Sequence, residues 1–469
     1  IIRSNFAYWG DIDTWIHDEC VRSTGHGFCG LARKRMLEIL HDRARSLGVH
    51  LHFEHEVEDL ATVLDADLVV AADGVNSRVR EHGAEHFRPT IRWGTARFTW
   101  LGTTKNLDAF TFIFRENEHG LFQVHAYPFE KDRSTFIVEC HEDTWRRAGL
   151  DEATEADTVR YMETLFADHL EGHALLTNRS IWRSFPTIRC ERWHHENVVL
   201  LGDAVHTAHF SIGSGTKLAM EDAIALSRAF EQHGLGDVPR VLEAYQDARW
   251  LDAVKLQKAA ATSQTWFENA ERYRHQRSLP FTFNLMTRSK RITYDNLRAR
   301  DPALVAAVTE DFVEQHDGAR SSDGVAAPPM FAPYRVGSLD LQNRVVVSPM
   351  CQYQAVDGLV GDWHLAHLGA LAVGGAGLVM TEMTDVLPEG RITLGCAGLW
   401  SDDHLRAWKR VVDFVHTRSA ARIGIQLAHA GRKASCSLPW EGDQPLRDAR
   451  AWPTVGPSPL PFGANWPAP

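Results

Sequence analysis

The chain has 469 residues, enough for two or three domains each with its own core. Its 50 basic and 61 acidic residues give a net charge of −11, so no basic field favours nucleic acid or an anionic membrane. The seven cysteines include no CxxC pair and no apolar run reaches the roughly 18 residues of a membrane helix, so the chain reads as a cytoplasmic enzyme with free thiols.

The opening "IIRSNFAYWG" is neither a signal peptide nor a starting Met, and the chain is expected to be a piece of a longer one. Asp18, Glu19 and Cys20 are expected in a solvated turn. "GHGFCG" at 25–30 is formally GxGxxG, but it follows "DECVRST", which is no buried strand; the strand–turn–helix context of a pyrophosphate loop is missing. Residues 31–47 have helical spacing, and "DADLVVAADG" is a buried strand that ends at Asp73 and Gly74. Arg78 and Arg80 follow closely enough to neutralise a phosphate or to steady the aspartate.

Between 95 and 140 the segments "ARFTWLG", "AFTFIF", "LFQVHAYPF" and "STFIVEC" alternate between turns, as antiparallel strands do. "VVLLGDA" restores the parallel-strand type, followed by a helix over 217–230 and a long helical stretch over about 239–272. An antiparallel sheet is thus inserted between pieces of an α/β domain. Residues 314–329, "EQHDGARSSDGVAAPP", lack an apolar period and read as a linker between domains at 1–313 and 330–469. Beyond it strands and helices alternate from "RVVVSPM" to "RIGIQLAHAG", the rhythm of the first three βα units of a (β/α) barrel.

The stretch "VVLLGDAVHTAHFSIGSGTKLAMEDAIAL", 198–226, holds the most chemistry. A carboxylate at a strand's end, here Asp203 after Gly202, can accept two hydrogen bonds from a ribose or ribityl diol. Gly213 and Gly215 let backbone N–H groups approach an anion at the N-terminus of the next helix. Glycine loops alone are weak evidence, but the whole pattern GDAxHxxxxxxGxG is far more demanding.

These two stretches resemble the later flavin motifs of the FAD-dependent aromatic hydroxylase family, the p-hydroxybenzoate hydroxylase fold. The wording "HTAHFSIGSGTK" is closer to the family of bifunctional salicylyl-CoA 5-hydroxylases and 2-aminobenzoyl-CoA monooxygenase/reductases, with Lys217 where most hydroxylases have Asn. The resemblance extends through "WFENAERY" and "LMTRSKRITYDNLRARD" and implies FAD bound by Arg33, Asp73, Gly74, Gly202, Asp203, Gly213 and Gly215. The family's Gly-rich first motif is expected before Ile1. In this family a reduced nicotinamide, NADH or NADPH, reduces FAD, and O2 then delivers a hydroxyl group to an electron-rich ring. Few acid–base side chains are therefore needed, and His206, His209 and Lys217 are the candidates beside the loop.

"MFAPYRVGSLDLQNRVVVSPMCQY", "DWHLAHLGALAVGGAGLVMTEMT" and "IGIQLAHAGRKAS" resemble Old Yellow Enzyme-type FMN oxidoreductases. By that resemblance Ser348, Pro349, Met350 and Cys351 line one edge of the FMN ring, Gln426 bonds its pyrimidine side, and Tyr353 faces the substrate. All lie at expected C-terminal strand ends, where barrel sites are built. Three units are expected to be too few to complete that FMN site. His364 and His367 share a helix face, but no third ligand has suitable spacing, so no metal is expected.

The expected partners are an aromatic acyl-CoA and O2, with no nucleic acid and no membrane; a homo-oligomer is left open, as is the choice between salicylyl-CoA and 2-aminobenzoyl-CoA. The competing expectation is a flavin-fold remnant that binds partners and catalyses nothing.

Overall fold

A computed structural model describes residues 6–130 and 132–469. The chain divides into two compact units, Ile1–Ala306 and Ala307–Pro469. That division and the expected boundary after 313 both fall inside the helix Pro302–Gln315, which buries Leu304, Val305, Val308 and Val313.

In the first unit the antiparallel expectation is met by a seven-stranded sheet. Its order is Leu175–Leu176, Ala96–Thr103, Arg133–His141, Gly120–Glu130, Phe110–Asn117, Ile12–Ile16 and Glu19–Ser23. Only the pairing of Ile12–Ile16 with Phe110–Asn117 is parallel. Side chains alternate between the faces of a strand. One face presents Ile113, Val124, Ala126, Phe136 and Val138 to Met162, Phe166 and Leu170 of the following helical segments. The other presents Phe112, Phe114 and His125 to Trp266 and Phe267, with the Phe112 and Phe267 rings stacked 5.8 Å apart. Both faces are therefore covered.

The parallel part is small. Val198–Leu200 pairs in parallel with Val69–Ala71, and His194–His195 flanks it on the other side. Val199, Leu200, Trp193, Leu242 and Tyr245 form a core with the helices Gly215–His233 and Val238–Glu268. The second of these starts at an Asp237 cap with Pro239 in its first turn, where the missing N–H costs nothing.

One local expectation needs correction and another holds. Asp18 and Glu19 are not a partnerless turn: Asp18 pairs with Arg115, and Glu19 accepts a hydrogen bond from the Ser278 hydroxyl at 2.6 Å. Sequence-distant partners supplied what the local pattern lacked. "GHGFCG" indeed opens no phosphate loop, since its Phe28–Gly30 is a strand paired with Ala7–Trp9. Gly25 is required there by packing, because a Cβ would stand 2.3 Å from the Arg300 carbonyl oxygen.

In the second unit Leu378–Asp385 lies between Val346–Val347 and Arg422–Ala428, all parallel, with the helices Asp362–Val373 and Asp402–Arg418 as the crossovers. A further two-residue strand, Ala397–Gly398, pairs with the C-terminal end of Leu378–Asp385. This is the beginning of a TIM-type barrel.

Candidate functional site: a glycine-lined opening beside a buried polar column

At the end of Val198–Leu200 the chain turns at Gly202, whose φ of +63° suits glycine. A Cβ there would lie 3.0 Å from the Ala219 Cβ, so this glycine serves the close approach of strand and helix. Gly202→Ala combines a left-handed backbone with that contact and should lower the Tm by roughly 2–4 °C, measured by thermal scanning.

Gly74, Gly213 and Gly215 differ. Nothing lies within 4 Å of where their Cβ atoms would be, and Gly215 begins the helix Gly215–His233. Asp203, the exposed residue between buried Gly202 and Ala204, makes no hydrogen bond among the described residues. Its carboxylate is accessible yet flanked by packed chain; this partial desolvation raises its pKa, opposed by the charges of His206 and Arg33. Arg33, exposed at the start of the helix Arg33–Ser46, thus acts on the same opening. An unused acceptor, three uncrowded glycines and a nearby cation fit a bound diphosphate with a diol, as FAD has.

Asp73 is exposed and accepts a weak bond from the Val79 amide at 3.3 Å. Arg78 and Arg80 both have partners within the protein. Arg78 pairs with Glu56 at 2.8 Å, while buried Arg80 donates to the carbonyls of Val75 (2.6 Å) and Ala204 (2.9 Å). Arg80 thereby ties the two flavin-type motifs together.

The three acid–base candidates of this loop separate into two networks. His206 and Lys217 lie at opposite ends of the first. His206 Nε2 is 2.9 Å from Asp222 Oδ2, off the line of a hydrogen bond. Asp222 also accepts from the Gly202 amide at 3.2 Å and from Arg249 Nε at 3.0 Å. Arg249 reaches Glu221 at 3.2 Å, and Glu221 pairs with exposed Lys217. His206 thus faces Asp222 with neither ring nitrogen hydrogen-bonded, and Lys217 lies on the helix surface.

His209 belongs to a second, buried column. Its Nδ1 is 2.9 Å from Ser211 Oγ, which is 2.8 Å from Ser263 Oγ, which accepts from Arg288 Nε at 2.9 Å. On the sheet side His209 Nε2 is 3.8 Å from Glu139 Oε1, and His125 Nε2 is 3.1 Å from Glu139 Oε2. Burial raises the Glu139 pKa to about 7 and lowers those of His209 and His125 to about 4 and about 3. Asp222, Arg249, Glu139, His125 and Arg288 were not among the sequence candidates. Only Asp222 had a signal, as the acid of the "AMEDA" helix.

A cavity of about 350 Å³ lies on the opposite face of the sheet, lined by Asp13, Trp15, Lys105 and Asp108 among others. Its Asp13 and Asp108 already pair with Arg22, and it shares no residue with the loop.

In the second unit Ser348, Pro349 and Met350 are exposed and Cys351 and Tyr353 half-buried, at or just beyond the end of Val346–Val347; Gln426 is exposed on Arg422–Ala428. Burial raises the Cys351 pKa and pushes Tyr353 up to about 12, so both keep their protons at neutral pH. His364 accepts from the Gly361 amide and its Nε2 is 3.0 Å from Glu382, which accepts from the Gln352 amide at 2.9 Å. Asp385, missed in the sequence, is fully buried with neither oxygen partnered, and burial raises its pKa to about 8.

Residues 7–260, more than half of the chain, match the family described as FAD binding domain. The chain belongs to that family of FAD-dependent oxidoreductases. Residues 329–458 match the NADH:flavin oxidoreductase / NADH oxidase family, so this FAD-binding-family member also has an FMN oxidoreductase module. A salicyloyl-CoA 5-hydroxylase of a Streptomyces species is 40% identical over 355 residues, 74% of this chain and 66% of that protein. The chain thus spans just under two thirds of that relative. A protodeoxyviolaceinate monooxygenase of Chromobacterium violaceum is 35% identical over 294 residues, 61% of this chain and 78% of that protein. An NADPH dehydrogenase of Geobacillus thermodenitrificans is 42% identical over 142 residues, 30% of this chain and 37% of that protein. With the first two of these relatives the chain belongs to a family of FAD-dependent monooxygenases. No described helix is long and apolar enough to cross a membrane.

Proposed function

We propose that the protein hydroxylates an aromatic acyl-CoA thioester using FAD, O2 and a reduced nicotinamide, and that its second unit is of ene-reductase type. The observation that supports this most is the free Asp203 carboxylate at the glycine-lined opening, next to a sheet face rich in aromatic rings. The 40% identity to a salicyloyl-CoA 5-hydroxylase supports the thioester class.

Bound FAD supplies the electron transfer and oxygen activation. Asp203 would accept hydrogen bonds from the ribityl or ribose hydroxyls. The amides following Gly213 and Gly215 would hold the diphosphate, with Arg33 adding positive charge. The rings of Phe98, Phe210 and Phe185, with centroids 4.9 Å apart for Phe98–Phe210 and 6.1 Å for Phe185–Phe210, exclude water from the loop. In the second unit Ser348 to Cys351 and Gln426 would line a flavin ring, with Tyr353 as the group toward substrate.

The test is substrate-stimulated oxidation of NADH and NADPH by the FAD-loaded protein. Salicylyl-CoA or 2-aminobenzoyl-CoA should stimulate it, and free p-hydroxybenzoate should not. The reverse pattern would exclude the thioester reading.

A further inference from the structure

The loop after Asp203 runs from buried His209 through the turn Phe210–Ile212 to Gly213, at φ +61°. Its own backbone bonds are few, as befits a segment that must leave amides free. What fixes it comes from elsewhere in the unit. Arg288, one residue beyond the helix Ser278–Thr287, donates from one terminal nitrogen to the Ser211 carbonyl at 2.8 Å, from Nε to Ser263 Oγ at 2.9 Å, and from the other to the Leu285 carbonyl at 2.8 Å. Its guanidinium stacks 4.9 Å from the Phe267 ring and 5.3 Å from that of Phe112. A charge enclosed in this way needs a counterion, and Glu139, 1% exposed, acts on it through space.

We propose that Arg288 and Glu139 are positioning residues for the cofactor-facing loop 209–215: Arg288 clamps the loop backbone from the far side, and Glu139, buried beside that clamp, takes the imidazoles of His125 and His209. The inference deepens the FAD reading and rests on it for what the loop faces, but not for what holds it. Neither residue lies in a flavin motif.

The groups around Glu139 set its pH behaviour. From the sheet comes His125, from the loop His209, from the helix Val238–Glu268 the like charge of Glu268, and from beyond the next helix Arg288. Glu139 has a raised pKa of about 7, so loop closure favours its protonated form and weakens as pH rises through 7. His125 and His209 have lowered values, so closure favours their neutral forms and weakens as pH falls below the ordinary histidine range. If opening hydrates all three, the two trends oppose each other and hold the loop evenly across neutral pH.

The test is amide hydrogen exchange of residues 209–217 in the full chain at pH 6, 7 and 8, corrected for intrinsic exchange, with FAD affinity measured in parallel. Wild-type protection should be nearly level. Glu139→Gln removes one of the opposing titrations, so its loop should lose about tenfold in protection between pH 8 and pH 6. Arg288→Lys keeps the charge but not the fork, and should accelerate loop exchange about tenfold at every pH. Ser263→Ala, which removes one link without touching a charge, should do so less and guards against a misfolded Arg288 variant. Wild-type loop exchange in all three variants overturns the inference, whether or not FAD binds. Altered exchange with no FAD affinity in the wild type leaves the positioning pair standing and sinks the FAD reading.

Discussion

Replacing Asp222 with alanine should remove roughly 3–5 kcal/mol of stability, seen as a lower midpoint in urea with an unchanged slope. Asp222 is fully buried and faces three partners: Arg249 at 3.0 Å, the Gly202 amide at 3.2 Å and His206 at 2.9 Å. Its removal leaves Arg249, 9% exposed, with only the half-exposed Glu221 at 3.2 Å to balance a largely buried cation. The loss is mainly the cost of that stranded charge, so Asp222→Ala combined with Arg249→Met should recover most of it. If the single variant keeps the wild-type midpoint, the network does not brace the turn at Gly202.

Asp203→Ala should do the opposite. Its carboxylate makes no hydrogen bond among the described residues, and partial desolvation makes it slightly unfavourable where it stands. Stability should hold or rise by a few tenths of a kcal/mol, whereas FAD affinity should fall by about 1.5–3 kcal/mol, roughly ten- to a hundredfold. FAD binding to the wild type should also weaken on acidification sooner than an ordinary carboxylate would dictate, because the Asp203 pKa lies above its usual value. Flavin content after dialysis, and titration at several pH values, measure both effects. Unchanged affinity in the variant would remove Asp203 from the site. Two aspartates nineteen residues apart in one motif thus have separable duties, one toward a ligand and one toward the fold.

The sequence by itself determined the order of elements, because each is a local pattern. "DLVVAADG" and "VVLLGDA" had to be parallel strands, though Val70 of the first is exposed rather than buried, and the alternation from Phe98 to Cys140 had to be antiparallel. Gly74, Gly202, Asp203, Gly213 and Gly215 stood out as candidates because a turn able to cradle a phosphate has few chemical solutions, all local. What remained hidden depended on long-range pairing. His125 and Glu139 sit on strands whose alternation allows a solvated outer face; only the packing of Phe267 and Arg288 on that face shows it to be buried. Arg249 and Arg288 lie far from the loop in sequence, and although Arg288 falls in "LMTRSKRITYDNLRARD" nothing local marks its role, since a guanidinium can reach a carbonyl or carboxylate from any element that passes nearby. The same physics separated the candidates His206, His209 and Lys217. One short stretch named all three, but the fold turned His206 toward Asp222, His209 toward Ser211 and Glu139, and left Lys217 in water. A motif fixes which groups are present near a turn; which of them share a dielectric interior and a partner is decided only when distant strands and helices close over it.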